Sequence, residues 1–331
     1  MATSIPDATD RGRPPVTIVV ATRDRPEQLR GCLEAIAATV GADDEVVVVD
    51  SASRQPAVAE VARRAGAALV RCARAGACRA RNAGWRAGQH DLVLFTDDDC
   101  RPEPTWVAVT AAALAADADC AFVTGAVVAD HDPRRAQLQT SLHTPPDHRR
   151  FDPPPPGHAP SVPAGGFGHG ANMAWHRHAL EAIGGFDELL GPGAPLRGAE
   201  DHDAFWRALR AGLHGRYVPA SVVRHVQWRH RRAQLRAYFG YGVGTGAARV
   251  KQQRLAGAAG TAPLPWPELA RLVGRTVLWD DGVRPVLRSL ADHFEMGAAG
   301  EAVKSAGELV GVWRARRLVL DPAGRFVDRQ S

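Results

Sequence analysis

Leu92-Val93-Leu94-Phe95-Thr96-Asp97-Asp98-Asp99 sets an apolar run directly ahead of three consecutive carboxylates. Adjacent carboxylates at the end of a strand repel one another unless a cation sits among them. Hard divalent cations take oxygen ligands, and Mg²⁺ usually shares them with substrate phosphates, so a metal carrying a nucleotide diphosphate suits this triplet. In open α/β sheets, ligands bind outside the carboxyl ends of the strands. The residues after Phe95 are therefore where a site is expected.

Working outward, short β-branched runs alternate with helical stretches. Strands are expected at Val16 to Ala21, Glu45 to Val49, Ala67 to Arg71, Leu92 to Phe95 and Cys120 to Val128. Helices are expected at Pro26 to Thr39, with Asp24 as its cap, and at Pro56 to Ala65, Ala75 to Ala87 and Pro104 to Ala116. This β-α-β-α rhythm means an α/β fold with a mostly parallel sheet covered on both faces. The rhythm breaks at Asp130. A long segment to about Gly170, including Pro153-Pro154-Pro155-Pro156, is expected to be a substrate-contacting loop. A strand at Ala171 to Trp175, helices at Arg177 to Ile183 and Asp201 to Ala211, and a strand at Arg216 to Val218 follow. From Arg229 onward the pattern reads as wholly helical, with segments near Arg229 to Arg254, Pro267 to Leu278, Arg284 to Glu295 and Gly300 to Arg317. The expected division is a disordered lead-in over 1–15, a catalytic domain over 16–226 and a helical extension over 227–331.

At 331 residues the chain can bury a sizeable core. It holds no apolar run of about eighteen residues, the length a membrane-spanning helix needs. The polar N-terminus lacks the apolar centre of a signal peptide. The five cysteines are scattered and never form a C-x-x-C pattern, which argues against a disulfide framework or a zinc site and fits a reducing cytosol. Charge is uneven. No acidic residue lies between Asp203 and Glu268, while Arg207, Arg210, Arg216, Arg224, Arg229, Arg231, Arg232, Arg236, Arg249, Lys251 and Arg254 do. Such a block either attracts anions or is a solvated helix face.

Several motifs, in order, resemble the family 2 glycosyltransferases, which have the GT-A fold. Val16-Thr17-Ile18-Val19-Val20-Ala21-Thr22-Arg23-Asp24-Arg25-Pro26 is similar to that family's first strand and nucleotide-binding turn. Val47-Val48-Val49-Asp50-Ser51 resembles its second strand with the base-recognising aspartate, and Ala80-Arg81-Asn82-Ala83-Gly84 its ARN-x-G helix. Asp97-Asp98-Asp99 matches its D-x-D motif. Gly184-Gly185-Phe186-Asp187-Glu188 and Gly198-Ala199-Glu200-Asp201-His202-Asp203 resemble its GGFDE turn and acidic ED motif. The resemblance spans Val16 to His225, about two-thirds of the chain.

Physical chemistry gives each candidate a role beside an ordinary alternative. Asp50 ends an apolar strand, where its carboxylate can accept a hydrogen bond from a nucleobase imide or cap the next turn. Thr22 and Arg23 would line the same crevice. Arg81 can hold a diphosphate or a metal-site carboxylate as a planar fork. The resemblance makes Asp99 the direct metal ligand, Asp97 a ribose or metal-site contact, and Asp98 a supporting carboxylate. It makes His225 a further ligand, with His169, His202 and His230 as competitors. Glu200 and Asp201 open a helix, where the dipole stabilises carboxylates. The resemblance assigns general-base catalysis to Asp201, with Glu200 orienting it or binding acceptor hydroxyls. Gly170 permits close backbone approach. Trp175 and Trp206 are either sugar-stacking faces or core.

The resemblance implies inverting, metal-dependent (Mg²⁺ or Mn²⁺) transfer from a nucleotide-diphosphate sugar, UDP-linked donors being the commonest in that family. The acceptor class stays open between a small molecule and a lipid-linked glycan. For the second, the basic helices would rest on an anionic membrane face, as a cytoplasmic protein touching the inner face of the cell membrane. Two other classes remain open. A nucleotidyltransferase would need a Gly-rich, basic triphosphate loop after Ala21, which is absent. A catalytically silent sugar-nucleotide or nucleic-acid binder is disfavoured by intact Asp99 and Asp201, and no aromatic RNA-binding motif or zinc finger supports specific nucleic-acid recognition.

Overall fold

The structure is a computed structural model that describes residues 13–129, 142–163, 166–226, 229–256, 264–275 and 295–327. Strands form at Val16–Thr22 (β1), Glu45–Ser51 (β2), Ala68–Cys72 (β3) and Leu92–Asp97 (β4), joined by helices Pro26–Ala37 (α1), Ala57–Arg64 (α2) and Ala77–Ala87 (α3). Burial on both sheet faces explains why the centres of β1, β2 and β4 are continuous apolar runs rather than alternating. β1 pairs in parallel with β2 and β4, and β2 with β3. Two layers of core form on opposite faces: Ile18, Val20, Val48 and Leu94 pack with Leu29 and Trp106, while Val19, Val47 and Phe95 pack with Trp85 and Trp175.

Next come Cys100–Pro102 (β5), Trp106–Ala115 (α4), Cys120–Ala129 (β6), Arg149–Phe151 (β7), Asn172–His176 (β8), Arg177–Ala182 (α5), Glu200–Arg210 (α6) and His214–His225 (β9). Here the sheet turns mixed. β8 lies antiparallel between β4 and β6, β9 runs parallel to β6, and β5 and β7 pair antiparallel with β9. The order is β3-β2-β1-β4-β8-β6-β9-β5, with β7 also on β9.

Several expectations need correction. β9 is far longer than Arg216 to Val218 and runs past Pro219. The register passes from Gly125↔Val218 to Ala126↔Val222, so Pro219, Ala220 and Ser221 bulge out of the ladder, where a missing N–H is harmless. Asp24 does not cap α1, whose N-cap is Arg25 with no side-chain cap bond. Instead Asp24 Oδ1 accepts the Arg54 backbone N–H at 2.8 Å, tying two loops together. The segment after Asp130 is not wholly irregular, since β7 joins the sheet. Residues 130–141 and 164–165 lie outside the described residues, as does the expected helix from Arg284 to Glu295 apart from Glu295 itself. Trp175 and Trp206 are core, 0% and 1% exposed.

The chain divides into two compact units. The first holds the sheet and residues up to Phe186 except Pro155–Ala159, then resumes at Ala204. The second takes Pro155–Ala159, Asp187–Asp203 and the chain from Trp228 onward. It contains helices Arg231–Ala256 (α7), Trp266–Arg275 (α8) and Glu295–Ala315 (α9). It is not wholly helical, because Val319–Leu320 (β10) and Phe326–Val327 (β11) close an antiparallel hairpin. Glycines let α7 and α9 approach backbone to backbone. A Cβ at Gly246 would fall 2.1 Å from Glu308 O, and one at Gly311 would fall 2.0 Å from Val243 O. Leu190, Leu196, Ala247, Val250, Leu269, Val312 and Phe326 form this unit's core.

The acid-free basic block is not a uniformly solvated face. Arg207 is buried and donates to the carbonyls of Ile183 and Gly185. Arg216 pairs with Asp117, Arg224 with Glu103 and Arg249 with Glu308. Lys251 is buried between Asp187 and Asp203, and Arg254 donates to Leu318 O. The acids that neutralise the block come from distant parts of the chain. Arg232 and Arg236 do remain exposed.

Candidate active site at the carboxyl edge of the sheet

β1 carries the site's centre because both its neighbours bring an aspartate to their carboxyl ends, Asp50 in β2 and Asp97 in β4. In the ladders Thr22 pairs with Asp50, and Ala21 with Asp97. The triplet then fans out. Asp97 Oδ1 accepts from Arg81 Nη2 at 2.9 Å, and Arg81 itself is 4% exposed. Gly170 is what makes room for that guanidinium, since a Cβ there would fall 3.0 Å from Arg81 Nη2.

Asp98 points inward and is fully buried. Thr22 Oγ1 donates to its Oδ2 at 2.6 Å. Its Oδ1 makes no hydrogen bond, although Arg25 Nη1 lies 3.1 Å away. Burial pushes the Asp98 carboxyl up to about 7 against the pull of Arg25, with Asp99 adding to the rise. Burial works against the charge on Arg25, but the carboxylates of Asp98, Asp99 and Asp97 outweigh it and raise its pKa.

Asp99 is also buried. Its Oδ2 is 3.1 Å from Arg25 Nη1, and its Oδ1 is 3.6 Å from His225 Nε2. Cys100 and His225 are Cα partners across β5 and β9, and Val226 N–H donates to Asp99 O at 2.8 Å. Asp99, Cys100 and His225 thus bring a carboxylate oxygen, a thiol sulfur and an imidazole nitrogen within 4.8 Å of one another. Carboxylate and imidazole together suit a first-row divalent ion.

Asp50 is buried, and its Oδ1 accepts the Ser53 backbone N–H at 2.8 Å, so the turn-capping role is present. Its Oδ2 lies 3.9 Å from Arg71 Nη1. Arg23 is about half exposed beside Asp24 and is not drawn into the triplet. His230 is exposed, and its Nδ1 accepts the Ala233 N–H.

Two motif residues act through the scaffold. Asn82 accepts the Phe186 N–H and donates to Phe186 O, both at 2.9 Å, which latches the Gly184-Gly185 turn to α3. A Cβ at Gly84 would fall 2.3 Å from Val19 and 2.9 Å from Val49, so glycine there seats α3 on the sheet. Glu200 and Asp201 open α6 in the second unit, and Asp201 Oδ1 accepts the His202 N–H at 2.8 Å. Sequence alone gives neither Arg25 nor Cys100 a role of its own. Arg25 stood three residues beyond Thr22 in the same turn, and Cys100 directly after the triplet.

Among solved structures, the mannosyltransferase PcManGT from Pyrobaculum calidifontis, determined with GDP-Man and Mn²⁺, is similar in fold. The TM-score is 0.57 at 21% identity, covering 92% of this chain and 88% of that one. This sheet and its flanking helices are the GT-A glycosyltransferase fold. Residues 14–240 match the family described as glycosyltransferase like family 2, and the chain belongs to that family. No curated protein matches the chain. No helix among the described residues is long and apolar enough to cross a membrane.

Proposed function

We propose that this glycosyltransferase moves a sugar from a nucleotide-diphosphate donor to an acceptor hydroxyl, with inversion, and that it uses a divalent metal. The observation that carries the reading is the approach of Asp99 to His225 at the carboxyl edge of β4, beside Asp97 and Asp98. Asp99 and His225 would hold the ion, with Asp97 as the second carboxylate of the motif. A bound ion there supplies positive charge to stabilise a departing diphosphate.

The chain's own residues do the rest. Asp50 accepts from the nucleobase. Thr22 and Arg25 fix Asp98, and Arg81 fixes Asp97. Asp201 takes the proton from the acceptor hydroxyl as its oxygen attacks the anomeric carbon. The related structure's GDP-Man makes GDP-linked sugars candidates beside the UDP-linked ones. The catalytic part is proposed to span 16–226, with 227–331 as the extension. The acceptor is proposed to be a small molecule or a lipid-linked glycan.

The test is isothermal titration of UDP, dTDP and GDP into the full chain, with and without Mn²⁺, beside Asp99→Ala. Metal-dependent binding of one nucleotide that Asp99→Ala abolishes is expected and names the donor class. Binding of none under any metal condition overturns the reading.

A further inference from the structure

Arg25 occupies the position from which a cation serves two of the three carboxylates. Its Nη1 lies 3.1 Å from Asp98 Oδ1 and 3.1 Å from Asp99 Oδ2, so one positive charge bridges a buried pair that would otherwise repel. Asp99 is the same carboxylate that faces His225 through its other oxygen.

We propose that Arg25, anchored on Asp98, is an internal counter-ion that competes with the divalent metal for Asp99, so that metal binds tightly only together with a nucleoside diphosphate. The inference rests on the metal-site reading given above.

Arg25 cannot withdraw its backbone. It precedes Pro26 at the start of α1, and Leu29 N–H donates to its carbonyl at 3.0 Å. A divalent ion beside Asp99 therefore meets a guanidinium a few ångström away. Like charges that close repel, and more strongly in a half-solvated site than in bulk water. The Arg25 side chain is nonetheless 28% exposed, so its guanidinium has an open side. A planar fork of donors matches phosphate oxygens as well as it matches carboxylates. A nucleoside diphosphate then relieves the competition twice. It offers Arg25 a second anion, and it brings further oxygen ligands and negative charge to the metal. By linkage, metal must tighten the nucleotide by the same factor.

The test measures Mn²⁺ binding to the full chain by electron paramagnetic resonance of the free ion, with no nucleotide, with GDP and with UDP. Wild-type protein is expected to bind Mn²⁺ weakly alone and more tightly with one nucleotide. Arg25→Met is expected to tighten nucleotide-free Mn²⁺ at least about tenfold, the size of one relieved like-charge contact in a partly solvated site. It should shrink the gain from nucleotide by a similar factor. An Arg25→Met protein with unchanged or weaker nucleotide-free Mn²⁺ binding overturns the proposal and leaves the metal site standing. Wild-type protein that binds no Mn²⁺ with any nucleotide overturns both. If circular dichroism shows Arg25→Met unfolded, Arg25→Lys decides. Its ammonium keeps the charge but lacks the planar fork that a diphosphate would engage, so nucleotide-free Mn²⁺ binding as weak as wild type with a smaller gain from nucleotide is expected, and a gain equal to wild type overturns the proposal.

Discussion

Lys251 Nζ lies 2.5 Å from Asp187 Oδ2, with both side chains wholly buried. Asp203 Oδ1 is 2.8 Å from the same ammonium, and the Phe326 ring lies 4.6 Å from it. Phe326 N–H also donates to Asp187 Oδ2, at 2.7 Å. One lysine thus joins the segment after the Gly184-Gly185 turn, the first turn of α6 and the C-terminal hairpin. Removing one partner of a buried ion pair leaves an uncompensated charge, which costs about 3–5 kcal/mol. Lys251→Met is expected to destabilise by that order in urea unfolding, and a loss below about 1 kcal/mol would contradict this account.

Gly311→Ala sets two effects against each other. Alanine is the better helix former by about 1 kcal/mol. The new methyl, however, would meet Val243 O at 2.0 Å, and a backbone carbonyl cannot swing aside as a side chain does. Overpacking of this kind costs about 1–3 kcal/mol or more. The clash should win, and Tm should fall by several degrees in calorimetry. An unchanged or higher Tm would mean that α7 and α9 pack less closely than described.

Asp50→Asn separates scaffold from recognition. An amide oxygen can still accept the Ser53 N–H, so thermal stability should change little. Recognition of a nucleobase imide by a carboxylate is lost, and affinity for the cognate nucleotide should fall about tenfold or more, as expected for a charge-assisted hydrogen bond of about 1.5–3 kcal/mol. Titration calorimetry beside thermal unfolding reads both quantities. Equal nucleotide affinity in the two proteins would leave Asp50 only its turn.

Asp44 predicts how acid acts on the N-terminal strand. Burial raises its pKa, but hydrogen bonds from Arg13, Gly41 N–H and Val16 N–H, with the charge of Arg13, bring it below the ordinary value. A carboxylate with a lowered folded pKa stabilises fully above the unfolded value of about 3.9, and the stabilisation is lost as pH falls through the folded value. Wild-type protein should therefore lose more stability than Asp44→Asn between about pH 5 and pH 2. Parallel acid profiles in urea unfolding would remove Asp44 from the account.

Asp201→Asn tests the proposed base. Loss of a positioned proton acceptor should lower kcat about 10²–10⁴-fold while donor binding stays within about twofold. A variant that keeps kcat would assign the proton to another group.

The parallel half of the sheet was legible because β1, β2 and β4 declare themselves locally, as apolar β-branched runs each followed by a polar turn. The triplet was legible for the same reason. What the sequence hid depends on partners far along the chain. β5 and β7 are three residues each and exist only because β9 offers them an edge. Pro219 reads as the end of a strand, yet a bulge carries β9 past it. Lys251 and Arg254 read as surface cations, and only folding supplies Asp187, Asp203 and Leu318 O to bury them. Glycines 242, 246, 307 and 311 read as poor helix residues until the facing helix is in place. Arg25 reads as one arginine in a polar turn, because its meaning lies in two aspartates more than seventy positions away.

The Asp187 carboxylate carries a consequence for how the molecule is made. Its partner Lys251 lies 64 residues downstream, and its second, the Phe326 amide, 139 residues downstream. A chain emerging from the ribosome exposes this aspartate long before either partner exists. At about 5–20 residues per second, the wait for Phe326 lasts on the order of ten seconds. The contacts that fix the segment following Asp187 are thus complete only once Phe326 has emerged, well after the sheet strands β1 to β4.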